Sequence, residues 1–532
     1  MAAPDIDLDC EYDYIVVGSG FGGSVSALRL AEKGYKVLVV EKGKWFKPED
    51  FARSTWNLRR WIWLPSLKLT GIMRLSFFRH VSVLSGVGVG GGSLVYAATL
   101  PVPKSEFFNS GSWAGLNDWE AVLKPHYATA YRMLGAADNP QSGPGDRALE
   151  RVAARIGRSD EFHASKVGIF FARHGEEVGR EVDDPFFAGA GPARSPCRHC
   201  GACMSGCPHN AKNSLDKNYL HLAQQKGARI LAETQVDDVR PLGEAGERGY
   251  VVHVQDSTRW WPRRRILRAR GIVFSAGALG TVKLLLKLRQ ASMPAISARL
   301  GRGVRTNNEC LIAVTTPQTG EDFSQGIAIG SVLHADPDSH LEPVRYGAGS
   351  GTWRLGMLPM AYGSNAFIRL GKMLRELLCH PLAYLRIASV RHWAKHSQIL
   401  LFMQHLDSSL RFRLNALGGL ASELDVGPPP AAHIARAEAL ARLYAEEVGG
   451  KPFTLFTEQL LNIPSTAHIL GGAVMGADPE SGVIDRVGRL FGYENALVCD
   501  GSMISANPGV NPSLSITAIS EYIMAQVTPR SG

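Results

Sequence analysis

The hydrophobic pattern of the chain is most regular near its amino terminus. An apolar run at 14–17 predicts a short β-strand, and residues 24–33, followed by Gly34, predict a helix. A second apolar run at 37–40 predicts another strand. Strand, helix and strand in this order are typical of a dinucleotide-binding α/β unit.

Glycines stand at the turn between the first strand and the helix. Gly18 permits a tight turn, Gly20 lets the backbone approach a pyrophosphate, and Gly23 lets the helix pack closely. The helix N-terminus attracts the pyrophosphate. Glu41, after the second strand, can accept hydrogen bonds from an adenosine ribose. The predicted contacts to FAD or NAD in this unit are Gly18, Gly20, Phe21, Gly22, Gly23 and Glu41.

Three later segments favour FAD over NAD. Segment 86–95 is dense in glycine, so its amides can face a phosphate or a flavin ring, with a flexible turn as the alternative. Segment 271–281 predicts a strand, a glycine turn and a helix. Segment 497–512 leads into a predicted helix at 513–525, whose N-terminus would stabilise negative charge on a reduced flavin. The predicted contacts here are Gly88, Gly90, Gly91, Gly92, Ser93, Ala276, Gly277, Asp500, Gly501, Asn511 and Pro512.

Composition and charge narrow the class of protein. The 532 residues are 45% hydrophobic and 20% charged, as is typical of a globular protein, and the length suggests two packed domains. The net charge of +9 comes without a lysine-rich tail or nucleic-acid motif, so nucleic acid is not an expected partner. The start carries no apolar core of signal-peptide length, and no uninterrupted apolar run of about 18 residues follows. These features predict a cytoplasmic protein.

Two segments interleave basic residues with large apolar ones, at 56–64 and at 374–395. Such segments are typical of helices that lie on a membrane surface. The alternative is that they cover an active-site cavity and keep their charged edges in water. Peripheral membrane contact is therefore one of two expectations.

Four of the eight cysteines, Cys197, Cys200, Cys203 and Cys207, fall in one segment that ends in Pro208. Intervals of two, two and three residues followed by proline match the ferredoxin spacing. The segment therefore predicts an iron–sulfur cluster with three or four irons. Zinc is the alternative ligand, because four local thiolates also suit it. Reduced or disulfide-bonded thiols with a structural role are the third interpretation.

Together the glycine motifs resemble the glucose-methanol-choline (GMC) family of flavin oxidoreductases, in particular its cholesterol oxidase branch. The resemblance also rests on the segments 232–236, 468–472 and 509–512. It implies a Rossmann-type α/β FAD-binding domain, interleaved with a substrate domain built on an antiparallel sheet with helices. It implies that Val236 contacts the adenine. FAD is expected to bind without a covalent link, because the glycine-rich loop carries no histidine.

The same resemblance assigns three catalytic residues. His468 would orient the substrate hydroxyl and take its proton, and Asn511 would contact oxygen or flavin. Glu342 would move a proton during isomerisation of a double bond, although an ion pair between Glu342 and Arg345 is the alternative. The implied division of the chain is 1–125, 221–300 and 461–532 for FAD binding, 126–220 for cap elements with the cysteine loop 197–207, and 301–460 for the substrate.

The predicted reaction is oxidation of a hydrophobic alcohol, foremost a 3-hydroxysteroid, to the ketone by hydride transfer to the flavin. Electrons would then leave through the iron–sulfur cluster to an acceptor protein or a quinone. Long-chain, alicyclic and sugar alcohols are alternative substrates. A flavin and iron–sulfur electron carrier without an alcohol substrate is the alternative of another class.

Overall fold

The computed structural model describes residues 11–173, 176–318, 320–406 and 408–530. The expectation about a signal peptide concerns residues 1–9, which lie outside this part. Among the described residues, none of the helices combines the length and the apolar character that crossing a membrane requires.

The described residues form helices and strands that are interspersed along the chain. The α-helices are α1 (Phe21–Glu32), α2 (Leu58–Trp61), α3 (Ser105–Phe108), α4 (Trp119–Met133), α5 (Pro144–Arg155), α6 (Tyr219–Gln225), α7 (Gly277–Gln290), α8 (Ala366–Cys379), α9 (Pro381–Ala388), α10 (Ala435–Glu447), α11 (Phe456–Leu461) and α12 (Ser513–Ala525). The strands are β1 (Glu11–Val17), β2 (Val37–Val40), β3 (Trp63–Leu64), β4 (Leu69–Thr70), β5 (Met73–Phe77), β6 (Ser82–Gly86), β7 (Ala137–Asp138), β8 (Phe162–Ala164), β9 (Lys166–Val167), β10 (Arg229–Leu231), β11 (Thr234–Pro241), β12 (Tyr250–Asp256), β13 (Arg264–Phe274), β14 (Val304–Arg305), β15 (Cys310–Thr315), β16 (Ser331–Asp336), β17 (Ser339–Val344), β18 (Met357–Pro359), β19 (Ser397–Gln404), β20 (Ser409–Leu414), β21 (Leu420–Leu424), β22 (Lys451–Leu455), β23 (Ser465–Thr466) and β24 (Ala496–Val498).

The first large sheet has the strand order β10-β2-β1-β13-β12-β11, with β24 also paired to β13. Strands β10, β2, β1, β13 and β24 run parallel to one another, whereas β12 is antiparallel to both of its neighbours, β11 and β13. The strand predicted at 37–40 is confirmed as β2, and all four of its residues are buried, which is typical of a strand covered on both faces. Helix α1 packs against α6 and α12 beside this sheet.

The second large sheet is antiparallel throughout, with the order β18-β22-β15-β19-β17-β16-β8. Helix α10 packs on β15 and on α5. A buried ion pair ties α5 to the end of β17, because Arg345 Nη2 lies 2.9 Å from Asp146 Oδ2. Arg345 therefore pairs with Asp146, and the alternative ion pair between Glu342 and Arg345 is wrong.

The two sheets draw their strands from alternating parts of the chain. The first takes strands between 11 and 274 and returns to 496–498, whereas the second takes strands between 162 and 455. The predicted fold class, an α/β dinucleotide domain interleaved with an antiparallel substrate domain, is confirmed. The domain boundaries stay a prediction.

Candidate active site

Two cavities, of about 530 and about 300 Å³, adjoin at the first glycine turn. Both are lined by Gly20, Gly92, Ala276 and Gly277, so segments distant in sequence form one continuous space. The larger cavity lies toward the nucleotide-binding strands. The smaller lies toward His468 and Asn511 and is called the inner cavity below.

The larger cavity fits the nucleotide half of FAD. Its lining includes Gly18, Glu41 and Val236, which come from the ends of three strands of the first sheet. A Cβ built on Gly20 would meet no atom within 4 Å, so this glycine presents open backbone to a ligand. Helix α1 begins directly after Gly20, so its N-terminus supplies free amides and a favourable dipole for a pyrophosphate.

Other glycines of the predicted contact set support the fold around the cavity. A Cβ on Gly22 would lie 1.7 Å from the carbonyl oxygen of Cys499, and one on Gly23 would lie 2.1 Å from that of Gly18. These two residues therefore let α1 pack against backbone. Gly88, Gly90 and Ser93 shape the glycine-rich loop without lining either cavity, whereas Gly91 lines the larger one.

The Glu41 carboxylate is already held by the protein. Oε2 accepts hydrogen bonds from the amide and the hydroxyl of Ser19, at 3.1 and 2.7 Å, and Oε1 accepts one from the amide of Gly43 at 2.8 Å. The acid is thereby fixed at the wall of the cavity, where it could still meet a ribose hydroxyl.

Sequence reasoning missed two cationic residues that line both cavities, Lys42 and Arg74. Burial and the neighbouring Arg74 lower the pKa of Lys42 to about 8. Positive charge at the junction of the cavities suits the pyrophosphate of FAD. The sequence could have indicated Lys42, because this residue directly follows Glu41 at the end of the second strand.

The carboxyl-terminal segment closes the inner cavity. Asp500, Gly501, Pro512 and Phe21 line it together with Asn511. Asp500 accepts hydrogen bonds from the amides of Gly277 and Ser502, both at 2.8 Å, and so joins this segment to the start of α7. The N-terminus of α12 follows Pro512, so its dipole points positive charge at the space in which a flavin ring would lie.

His468 contacts the buried carboxylate of Glu309, which was not predicted from the sequence. Its Nδ1 is 3.0 Å from Oε1 of Glu309, whose side chain is fully buried. Glu309 also accepts a hydrogen bond from Thr466 and one of 3.3 Å from the amide of Ala467. This contact leaves Nε2 for the inner cavity, which His468 lines. The only feature of the sequence that could have indicated Glu309 is its position as an acidic residue immediately before the apolar strand β15.

Opposing effects set the charge of this pair. Burial alone would lower the pKa of His468, but the Glu309 carboxylate raises it overall. Burial alone would raise the pKa of Glu309, but His468, Thr466 and Ala467 lower it overall. Glu309 therefore stays ionised and stabilises a positive charge on His468.

The other two predicted catalytic residues contact each other. Asn511 Nδ2 donates to Glu342 Oε2 over 3.3 Å, and Asn511 Oδ1 is buried without a hydrogen-bond partner among the described residues. Burial raises the pKa of Glu342 to about 7, against the opposing effects of Asn511 and His468. Glu342 also lies 3.7 Å from Nε2 of His340 and lines a separate cavity of about 140 Å³. The structure thus brings His468, Asn511 and Glu342 into one neighbourhood.

The remaining wall of the inner cavity is apolar. It joins strands of the second sheet to the turn at 351–356 and to β5 and β6. Its apolar side chains include Met73, Leu84, Met204, Leu311, Ile329, Val344, Tyr346, Trp353, Met357, Ile399, Leu401 and Leu455. A hydroxyl held at His468 would therefore belong to a largely hydrophobic molecule.

The structure does not support a metal at Cys197, Cys200, Cys203 and Cys207. The space that they enclose measures about 10 Å³, close to the requirement of a single water molecule. The ammonium of Lys212 is buried beside them and donates to the carbonyl of Cys203 over 2.6 Å. Across the described ranges, no group of three or more His, Cys, Asp or Glu side chains is arranged to hold a metal ion. Neither the iron–sulfur prediction nor the zinc alternative is supported.

These thiols behave as buried groups. Burial raises the pKa of Cys203 to about 12 and also raises the pKa of Cys200. The four cysteines are free thiols, so of the third interpretation of this loop only the reduced form matches the structure. Amides of His199 and Ala211 point at Cys197 Sγ and Cys207 Sγ, at 3.3 and 3.4 Å. A structural role for reduced thiols agrees with this environment.

Comparisons with known proteins show similarity over nearly the whole chain. Two profiles of the GMC oxidoreductase family match residues 12–289 and 432–520. A cholesterol oxidase of Acinetobacter baumannii is 45% identical over 97% of this chain and 94% of its own length. A cholesterol oxidase of Mycobacterium tuberculosis is 42% identical over 98% of this chain and 92% of its own length.

More distant relatives cover the chain as well. A long-chain-alcohol oxidase of Arabidopsis thaliana is 26% identical over 97% of this chain and 67% of its own length. The crystal structure of pyridoxine 4-oxidase from Mesorbium loti has the same fold, with a TM-score of 0.60, 16% identity, and coverage of 98% of this chain and 100% of that one. The chain therefore belongs to the GMC oxidoreductase family, as an FAD-dependent oxidoreductase that acts on CH–OH donors.

Proposed function

We propose that this protein oxidises the secondary hydroxyl of a sterol to the ketone. The observation that carries the proposal is the buried His468–Glu309 pair at the wall of an otherwise apolar cavity. The relatives named cholesterol oxidase, at 45% and 42% identity over nearly the whole chain, support a sterol as the substrate.

Each residue of the site has a separate role in the proposed reaction. Nε2 of His468 takes the proton of the substrate hydroxyl, and the Glu309 carboxylate stabilises the imidazolium that forms. The unpartnered Oδ1 of Asn511 is free to contact the substrate, while its Nδ2 is engaged by Glu342. Bound FAD would supply the acceptor for the hydride. The FAD would be held by Gly20, Lys42, Val236 and the N-terminus of α12.

The alternatives differ in what the cavity would have to do. A long-chain alcohol would also fit an apolar wall, in agreement with the Arabidopsis relative. A sugar would need many polar partners, which this wall lacks among the described residues. An electron carrier would not need a proton acceptor such as His468. The final electron acceptor and a double-bond isomerisation through Glu342 stay predictions.

Anaerobic mixing with substrates tests the proposal. A detergent-dispersed 3-hydroxysteroid should bleach the flavin absorbance faster than a long-chain primary alcohol, and a sugar should leave it unchanged. His468→Asn should slow the bleaching about 10²-fold, because the hydroxyl proton loses its acceptor. His163→Asn, at an exposed histidine of β8, is the control and should leave the rate unchanged. Equal bleaching by the His468 variant would refute the assignment.

A further inference from the structure

Helices α8 and α9 are separated only by His380, and this pair of helices is called the α8–α9 hairpin below. Its exposure is the reverse of that of an ordinary surface helix pair. Large apolar side chains face solvent, among them Phe367 at 87%, Leu378 at 80% and Leu382 at 68% exposed. The only side chain of α8 that is fully buried is that of Arg369. Its guanidinium donates to the carbonyls of Gln459 and Gly363, at 2.7 and 3.1 Å, and so fastens the hairpin to the body.

Four of the exposed apolar residues of α8 share one face. Phe367, Leu370, Leu374 and Leu378 follow each other at intervals of three and four, which places them in a single stripe along the helix. Such a stripe normally packs on a core. Here it is unpaired within the described residues, and an apolar face of this kind marks an interaction surface.

This surface is continuous with the wall of the inner cavity. Trp353 and Met357 line the cavity, whereas Leu355 between them is 73% exposed. Arg354 of the same turn donates to the carbonyls of Val390 and Ala388, at 3.1 and 2.8 Å, and joins the turn to the end of α9. Anything that covers the hairpin therefore also lies beside the cavity.

The charge of the hairpin indicates what kind of partner covers its apolar face. Between residues 366 and 395 the basic side chains are Arg369, Lys372, Arg375, Arg386, Arg391 and Lys395, and the acidic one is Glu376. Apart from the buried Arg369 and the partly buried Lys395, these basic residues are exposed. Exposed leucine and phenylalanine, together with an excess of exposed basic over acidic side chains, fit the interface of an anionic bilayer.

We infer that the α8–α9 hairpin docks this protein onto anionic lipid bilayers and places the mouth of the inner cavity against the lipid. The choice of a lipid-dissolved substrate rests on the proposed function, whereas the docking itself does not. A second copy of the chain is the competing occupant, because apolar stripes also form dimers.

Vesicle binding by the full-length holoenzyme tests the inference. The protein should co-sediment with substrate-free vesicles of phosphatidylcholine and phosphatidylglycerol, and at least about tenfold less with pure phosphatidylcholine. The triple variant Phe367→Ser, Leu378→Ser, Leu385→Ser should bind the anionic vesicles at least about tenfold more weakly, because the apolar anchor is lost. Leu417→Ser, at a residue 95% exposed between β20 and β21, is the matched control and should bind as the wild type does.

Flavin reduction and analytical ultracentrifugation distinguish membrane docking from dimerisation and from a failure of the proposed function. The triple variant should keep the wild-type rate of flavin reduction by a detergent-dispersed steroid, because its changes lie outside the cavity. Equal binding by the triple variant and the wild type, or no binding by the wild type, overturns the inference. A dimer in analytical ultracentrifugation that the triple variant abolishes, without vesicle binding, overturns it in favour of a second copy. Vesicle binding without steroid oxidation leaves docking intact and contradicts the proposed function alone.

Discussion

Two buried glutamates near His468 have pKa values that their surroundings shift in opposite directions. Glu309 meets an imidazole, a hydroxyl and an amide, which together outweigh the cost of burial and keep it ionised. Glu342 meets mainly the neutral amide of Asn511, so burial prevails and its pKa rises to about 7. Carboxyl groups whose pKa values are pushed apart are a feature of acid–base sites. Glu309 stabilises charge, and Glu342 can carry a proton near neutral pH.

Replacing Glu309 by glutamine should change both the rate and its pH dependence. In the wild type the rate of flavin reduction should increase as pH rises through the raised pKa of His468, because only the neutral imidazole accepts the hydroxyl proton. Without the carboxylate, burial lowers that pKa, so the increase should move to lower pH. The plateau rate should fall about 10²-fold, because the imidazolium is no longer stabilised.

Stopped-flow flavin bleaching with a saturating steroid, followed across pH, measures this effect. Glu438→Gln removes a surface carboxylate that pairs with Arg442 and should leave the profile unchanged. A Glu309→Gln enzyme with the wild-type profile would show that Glu309 has no part in the charge state of His468.

At the scale of elements, local patterns predicted the parts of the site that are local. The strand, turn and helix at 14–33 and the helix at 513–525 follow from apolar runs and glycines. Glu309 escaped prediction because it meets His468 only when the start of β15 and the end of β23 come together. The cysteine spacing predicted a metal, but spacing does not specify how tightly the folded loop closes around the thiols.

Two glycines at the start of α1 should respond differently to alanine. A Cβ on Gly20 meets no protein atom, so Gly20→Ala should fold but block the pyrophosphate, with FAD affinity at least about tenfold lower. A Cβ on Gly22 would lie 1.7 Å from backbone of Cys499, so Gly22→Ala should prevent folding. Circular dichroism and FAD content of the purified variants measure both effects.

Gly371→Ala serves as the control for this pair of variants. Gly371 lies on the exposed helix α8, and a Cβ there meets no atom within 4 Å, so both folding and FAD content should stay at the wild-type level. A folded Gly20→Ala protein with full FAD content would contradict the assignment of this turn to the pyrophosphate.

At the scale of the whole molecule, the cofactor site joins parts of the chain that lie far apart in sequence. The residues that line the two cavities run from Val17 to Ile516 and come from both large sheets. This interleaving could be predicted only through the resemblance to a family, because no local pattern specifies which strand pairs with which. It follows that FAD should stabilise the two sheets as one unit.

Thermal unfolding at several FAD concentrations tests that consequence. A ligand that binds only the folded state stabilises it by about 4.1 kcal/mol when present at about 1,000 times its Kd. Because the cavity wall spans both sheets, a single transition should move to higher temperature as FAD is added, by several degrees. Two separate transitions, of which only one responds to FAD, would show instead that the antiparallel sheet unfolds independently of the cofactor. The Gly20→Ala variant should need at least about tenfold more FAD for the same shift and should keep a single transition, since its folded backbone is unchanged.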